Sequence, residues 1–324
     1  MKNSRRVTLS WDGRPSEGAR PPLAKAAALE PVYCADDGSA LYAGDNLQVM
    51  RAMARAVGEV FSLVYMDPPF LTGRVHEATS RGDRATRPAF DDRWTDRASY
   101  LEALGPRIAA ARALLAPHGS LVVHVDPKTS HYVKVLCDEL FGEDAFASEI
   151  VWRYRRWPSK TPNFQRVHDV LLRYRKDPAT PPRWNVLYEP LAPSTLAAWG
   201  KKKQRAVVGE GGRRLRSSST DEATPGVPMG DVWDIGVIAP VSRERTGYPS
   251  QKPEALLERV IGALSNEGDW VLDPYAGSGT TLAVARRMGR RAAGIDESAV
   301  ALETAAARLR GLAPLAEGAP APAC

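Results

Sequence analysis

The sequence predicts an α/β protein built on a doubly wound, largely parallel sheet, and three observations carry that prediction. Apolar runs at 60–66, 121–125 and 270–272 have the length and the β-branched or aromatic content of strands buried on both faces. Stretches with helical spacing of apolar residues alternate with them. Two of the runs stop at a carboxylate and a turn: Asp67-Pro68-Pro69-Phe70, and Asp273-Pro274-Tyr275-Ala276-Gly277-Ser278-Gly279-Thr280-Thr281. In an open α/β sheet that end of a strand is where ligands bind.

Each element follows from its own residues. Residues 1–37 are rich in Ala, Pro, Gly and Arg without a period and read as a partly ordered leader. Leu41-Tyr42-Ala43 makes a short strand ending at Gly44-Asp45-Asn46, and Asp45 or Asn46 caps a helix carrying Leu47, Met50 and Met53 on one face. The strand 60–66 completes a βαβ unit, which puts Asp45 at the same sheet edge as Asp67. Two prolines cannot continue a ladder, so this strand ends at Asp67. Residues 71–96 have no clear period and are expected to be a long loop able to close over a substrate.

A helix over 99–115, the strand 121–125 and a helix over 132–141 come next. Segments 149–157 and 168–174 read as an antiparallel strand pair at one edge of the sheet, the first interleaving aromatic and cationic side chains. From 177 to 245 the pattern breaks into Pro, Gly, Ser and basic residues, an insert with little core of its own. A helix over 254–265, the strand 270–272, the Gly-rich turn with its helix, a strand 291–295 ending at Asp296 and an Ala-rich helix to Gly311 close the fold. The chain thus divides into halves at 38–176 and 246–311 around the insert, with 312–324 an expected disordered tail.

At 324 residues and 44% hydrophobic content the chain can bury a sizeable core. No apolar run approaches the ~18 residues needed to span a bilayer. No secretory apolar core follows the first six residues. A cytoplasmic protein with no membrane partner is expected. Cys34, Cys137 and Cys324 are far apart, which fits a reducing compartment without structural disulfides. Neither they nor His76, His118, His124, His131 and His168 make a metal-ligand spacing, and no metal is expected. The net charge is +6, but residues 151–216 hold 16 Lys and Arg against 4 Asp and Glu, so that this segment carries +12 and the remainder −6. Such a concentration suits a polyanion.

The two turns define the chemistry. After the first, a carboxylate, a main-chain carbonyl with no following N–H and the Phe70 ring would suit a planar heterocycle bearing an amino group. Strand, Gly-rich turn, helix, strand and acid is the plan of a Rossmann-like nucleotide unit, and Asp296 lies 19 residues beyond Gly277, close to the ~20 of a ribose-binding carboxylate. The third glycine of a dinucleotide fingerprint is missing, and no Gly-Lys-Ser/Thr is present for triphosphates. Asp273 at the start of the turn would repel a pyrophosphate and attract an ammonium. A ribose, an ammonium and no phosphate describe S-adenosylmethionine.

With both turns in hand, the sequence resembles the amino-group (N6-adenine/N4-cytosine) DNA methyltransferases. The order, catalytic motif first and cofactor motif last, is similar to their circularly permuted beta class. The resemblance continues through Gly44-Asp45-Asn46, Glu149-Ile150-Val151-Trp152, His168-Asp169 and Tyr248-Pro249-Ser250-Gln251-Lys252-Pro253, and covers most of 40–310. Tyr275 stands where phenylalanine is more usual, and Ser250 where threonine often is.

The resemblance implies a catalytic set of Asp67, Pro68, Pro69 and Phe70. Asp67 and the Pro68 carbonyl would accept the two N–H bonds of a flipped-out amine, and Phe70 would stack on its ring. It places the methionine end of the cofactor on Asp273, Gly277, Gly279 and Thr281, its ribose on Asp296 and its adenine on Asp45, with Asn46, Tyr275, Ser278 and Thr280 also at the cofactor site. Gln251 and Lys252 would line the opening.

It makes 177–245 a target-recognition insert and the partner duplex DNA, which would associate the protein with the nucleoid. Arg153, Arg155, Arg156, Lys201, Lys202, Lys203, Arg205, Arg213, Arg214 and Arg216 are the expected DNA contacts. A cognate restriction endonuclease and a second copy of the chain are further partners left open. Asp67, where cytosine N4 enzymes more often carry serine, points to adenine N6. N4-cytosine transfer is the alternative, ahead of RNA or protein-glutamine N-methylation.

Overall fold

The computed structural model describes residues 7–14, 29–79, 86–157, 160, 162–205, 207–209, 212–213 and 218–312. In chain order the elements are β1 (Pro31–Cys34), β2 (Ala40–Ala43), α1 (Asn46–Ala56), β3 (Phe61–Met66), β4 (Val75–Thr79), β5 (Thr86–Asp91), α2 (Arg97–Leu114), β6 (Leu115–Val125), α3 (Ser130–Phe141), β7 (Phe146–Arg153) and β8 (His168–Arg175). There follow β9 (Tyr188–Glu189), α4 (Pro193–Trp199), β10 (Lys202–Arg205), β11 (Ser218–Ala223), β12 (Val227–Pro228), β13 (Val232–Asp234), α5 (Glu254–Leu264), β14 (Trp270–Asp273), α6 (Thr280–Arg287), β15 (Arg291–Asp296) and α7 (Ala299–Arg310).

Nine strands form one mixed sheet in the order β1-β2-β15-β14-β3-β6-β8-β7-β13. The five strands from β2 to β6 are mutually parallel, and each of them ends at or just before an aspartate: Asp45, Asp296, Asp273, Asp67 and Asp126. The sheet's carboxyl edge is therefore acidic by construction, which suits a cationic ligand. All six residues of β3 are buried, as its unbroken apolar run requires. Val64 and Met66 join the core cluster with α1, α2 and α3, and the alternating Leu63 and Tyr65 point to the other face, the side where α5 packs on β3. α5, α6 and α7 pack on one another in turn.

Three expectations need correction. The stretch 71–96 is not structureless, because β4 and β5 pair as an antiparallel hairpin within it. Only Ala78 and Ala89 of that hairpin are fully buried, so no alternating apolar signal marks it in the sequence. β7 and β8 are antiparallel as expected, but β13 lies outside them, parallel to β7. A three-residue strand with one buried residue, Trp233, is too short to read from periodicity. Finally, Cys137 is a buried free thiol but Cys34 is disulfide-bonded. Spacing along a chain does not say which thiols the fold brings together.

Residues 185–230 form a second compact unit, separate from 1–184 and 231–324. Its described part contains the short pairs β9–β12 and β10–β11, and α4 buries no residue. Among the described residues no helix is long and apolar enough to cross a membrane.

Candidate active site

One cleft of about 350 Å³ opens at the carboxyl edge of β3 and β14. Asp67 and Asp273 both line it, because the strands that deliver them are parallel neighbours with Leu272 opposite Val64. Pro68, Pro69, Phe70, Asp45, Asn46, Gln251, Lys252, Tyr275, Gly277, Ser278, Thr280, Thr281 and Asp296 line the same cleft. Of the residues expected at the catalytic and cofactor sites, Gly279 alone is not on its wall.

The first turn is rigid. Oδ2 of Asp67 pairs with the Lys252 ammonium at 2.5 Å, and that ammonium also lies 4.9 Å from the centre of the Phe70 ring. Oδ1 of Asp67 is buried and has no hydrogen-bond partner among the described residues. A buried carboxylate oxygen left without a donor is costly, so a ligand N–H is the group this position lacks. Behind the turn, Asp92 is 1% exposed and gathers the main-chain N–H groups of Phe70, Leu71 and Thr72 at 3.2, 2.9 and 2.8 Å. It also accepts from the Thr72 hydroxyl at 2.6 Å and the Trp94 indole at 3.1 Å. This carboxylate holds Leu71 at φ 57°, a left-handed conformation that a branched side chain resists.

A buried polar chain extends from Asp67 away from the cleft. His124 Nδ1 is 3.9 Å from Asp67 Oδ1 and 2.7 Å from the Tyr65 hydroxyl. Burial, with the charges of Asp67, Asp273 and Asp169 added, lifts the Tyr65 pKa well above its ordinary value. The Asp169 carboxylate oxygen 3.3 Å from Nε2 can only accept, so Nε2 carries a proton and Nδ1 of the neutral ring accepts from the Tyr65 hydroxyl. Asp169 also accepts from Tyr154 at 2.9 Å. Burial alone would raise the Asp169 carboxyl, but the bonds from His124 and Tyr154 and the Lys252 charge hold it below its usual range.

The second turn is built for close approach. Gly277 and Gly279 have φ of 50° and 73°. A Cβ on Gly279 would come within 2.8 Å of the Ala305 Cβ, so this glycine serves the packing of α6 on α7, and its backbone caps α6. Asp296 Oδ2 accepts from the Gly277 N–H at 2.8 Å, which pins the turn to the end of β15. Asp273 is 3% exposed. Burial pushes its pKa up to about 7, against the pull of the Thr281 hydroxyl and the Tyr275 N–H, with Asp67 and Asp296 adding repulsion. Asp67, Asp273 and Asp296 thus all face the cleft, and Lys252 pairs with the first of them.

At the mouth the predicted residues have structural work of their own. Asp45 caps α1 through the Gln48 N–H at 3.0 Å and pairs with Arg107 at 2.5 Å. Asn46 accepts from Arg107 at 2.6 Å and donates to the Pro274 carbonyl at 2.8 Å, tying the two halves together. The Gln251 amide braces its own loop, accepting from Thr246 and donating to the Glu244 carbonyl at 2.7 Å.

Of the cationic residues expected to meet DNA, Arg153 pairs with Asp234, while Arg155 and Arg156 are exposed beyond the end of β7. Lys201, Lys202, Lys203 and Arg213 are exposed on the 185–230 unit. Arg214, Arg216 and the Arg205 side chain lie outside the described residues. Sequence reasoning gave no role to Asp92, His124, Tyr65 or Arg107. The one available signal was His124, a lone polar residue in a run of valines.

The comparisons with known proteins decide the family. The model for N6/N4 enzymes described as DNA methylase matches residues 61–307. This chain belongs to the N6/N4 DNA methylase family. Type II methyltransferase M.EcaI of Enterobacter cloacae is 26% identical over 86% of the chain and 71% of its own length. DNA adenine methyltransferase YhdJ of Escherichia coli (strain K12) is 27% identical over 82% of the chain and 81% of its own. Among solved structures, PvuII DNA methyltransferase (cytosine-N4-specific) shares the fold, with a TM-score of 0.57 at 18% identity over 87% of this chain and 89% of that one. The methylase signature thus runs from the first residue of β3 into α7, spanning both turns of the cleft.

Proposed function

We propose that this methylase transfers a methyl group from S-adenosylmethionine to the exocyclic N6 amine of an adenine flipped out of duplex DNA. The observation that carries the reading is the unpartnered Oδ1 of Asp67 in the same cleft as the buried Asp273 carboxylate. The cleft suits the cofactor: burial raises the Asp273 carboxyl, Asp67 and Asp296 add to it, and a cationic ligand offsets their charge. When bound, S-adenosylmethionine supplies an electrophilic methyl group on a sulfonium. Asp273 and the 277–281 turn would hold its amino-acid end, and Asp296 its ribose.

The remaining work is positioning. An aromatic amine is a poor nucleophile because its lone pair is delocalised into the ring. Asp67 Oδ1 and the Pro68 carbonyl would each accept one N–H, favouring a pyramidal nitrogen with its lone pair turned toward the cofactor side of the cleft. Lys252 orients the carboxylate through Oδ2 and leaves Oδ1 for the amine. Phe70 offers the face on which the extruded base stacks, which offsets part of the unstacking cost. After transfer the nitrogen is acidic, and its proton leaves to Asp67 or solvent.

Adenine is favoured by Asp67 itself and by the similarity to a relative described as a DNA adenine methyltransferase. Incubation with methyl-labelled S-adenosylmethionine and duplex DNA, followed by hydrolysis to nucleosides, tests the reading. Label in N6-methyladenine supports it. Label in N4-methylcytosine moves the substrate, and label only in RNA or protein overturns it.

A further inference from the structure

Between β7 and β8 the chain leaves the sheet at its carboxyl edge, the edge that carries Asp67. β7 is antiparallel to β8, which is antiparallel to β6, which is parallel to β3, so β7 ends where β3 ends. The loop there bears two large aromatic side chains with almost no cover, Trp157 at 92% and Phe164 at 96% exposed. Single exposed apolar residues are ordinary, but two such rings on one loop are not. They are interleaved with the exposed cations Arg155, Arg156 and Lys160.

The root of this loop is coupled to the catalytic turn. Ring contacts run from Phe70 to His124 at 5.6 Å, from His124 to Trp152 at 5.6 Å and from Trp152 to Tyr154 at 4.9 Å. Tyr154 also bonds Asp169 at 2.9 Å and continues the ladder through its N–H to the Val167 carbonyl at 2.8 Å. Arg156 is fixed over the Tyr154 ring at 5.0 Å. The loop base is therefore registered to the pocket that would hold the extruded base, while its aromatic tips stand free in solvent.

We propose that Trp157 and Phe164 form a stacking wedge that enters the duplex beside the target nucleotide and takes up the space the flipped base vacates, with Arg155, Arg156 and Lys160 on the flanking phosphates. This rests on the reading of the cleft as a base-flipping methylase site. The chemistry is that of a duplex with one unstacked step: flat apolar rings replace base stacking, and cations flank the anionic backbone.

The test uses the full chain and two duplexes carrying the recognition sequence, which sequencing of modified DNA from expressing cells supplies. In one, the target base is paired; in the other, it faces an abasic site, so that no pairing must be broken and extrusion costs less. Trp157→Ala/Phe164→Ala is expected to lower kcat/KM on the paired duplex by about 30-fold or more, since two stacked rings are lost and each contributes at least ~1 kcal/mol. On the abasic duplex the loss should shrink to within about 3-fold, because the unpaired target is extruded at lower cost and needs less help from a wedge. Trp157→Phe/Phe164→Trp should retain most of the activity on both. The cofactor affinity and melting temperature of all variants should match the wild type, since both rings are solvent-exposed.

An equal loss on the two duplexes, or no loss on the paired one, overturns the wedge and leaves the methylase reading intact. Wild-type protein that methylates neither duplex overturns the methylase reading, and the wedge with it.

Discussion

Asp92 offers the sharpest perturbation, because it acts on the catalytic turn while lying behind it. Asp92→Ala removes one buried carboxylate that accepts five hydrogen bonds, three of them from the consecutive N–H groups of Phe70, Leu71 and Thr72. A bond to a charged acceptor contributes about 1.5–3 kcal/mol net, and a buried donor left without a partner costs about 1–3 kcal/mol. The five are not additive, since the turn can relax from the strained φ of Leu71 and water can reach part of the space. A loss of about 4 kcal/mol is the expectation, which is on the order of 10 °C in Tm for a chain of this size. Relaxation would move the Pro68 carbonyl and Phe70, and a shift of about 1 Å in a positioning group lowers turnover on the order of 100-fold.

Asp92→Asn retains one acceptor and should give an intermediate result. Thermal denaturation, cofactor titration and single-turnover methyl transfer together test this. Turnover should fall steeply while cofactor affinity stays within about 3-fold, the spread expected of a residue that touches no cofactor group. Full turnover in a protein whose melting temperature has dropped would refute the reasoning, because it would leave Asp92 a purely structural residue.

Asp67→Ala should abolish transfer and leave cofactor affinity nearly unchanged, whereas Asp273→Ala should weaken the cofactor on the order of 100-fold, about the value of one buried charge-assisted hydrogen bond; equal losses of affinity would contradict the assignment. In the free protein Asp273 titrates near pH 7, so binding a cation must expel its proton at lower pH. Calorimetry at about pH 6 in buffers of different ionisation heat should therefore find about one proton released on cofactor binding, and Asp273→Asn should eliminate it. Gly279→Ala would place a methyl group 2.8 Å from the Ala305 Cβ at a φ of 73°, and a melting scan should find it destabilised by about 1–3 kcal/mol. Replacing Lys201, Lys202 and Lys203 by alanine should flatten the salt dependence of DNA binding by about 0.9 in log–log slope for each phosphate that is no longer neutralised; an unchanged slope removes them from the interface.

Much of the sheet could be read from residues alone because its central strands are buried on both faces and end at carboxylates. β3 and β14 declare themselves as apolar runs that stop at Asp67 and Asp273, and the glycines after β14 can serve few purposes other than close approach. The hairpin of β4 and β5 could not be read, since two buried alanines, Ala78 and Ala89, make no apolar alternation. β13 is three residues long, and its single buried tryptophan looks like any loop aromatic.

The supporting shell of the site was equally hidden, for a different reason. Asp92 meets Phe70, Leu71 and Thr72 only because a hairpin brings it back 20 to 22 residues later. His124 meets Asp169 only through the antiparallel pairing of β6 with β8. Such long-range pairs leave no local spacing to detect. Arg153, expected at the DNA, also pairs with Asp234 across 81 residues, a partner that no local spacing announces.

The most direct test is base-resolved sequencing of genomic DNA from cells that express the wild-type chain or Asp67→Ala. Methylation at N6 of adenine in one recurring sequence context, present with the wild type and absent with the variant, is the outcome the proposed reading predicts. DNA that carries no added methyl group, or the same methylation with and without the Asp67 carboxylate, would contradict it.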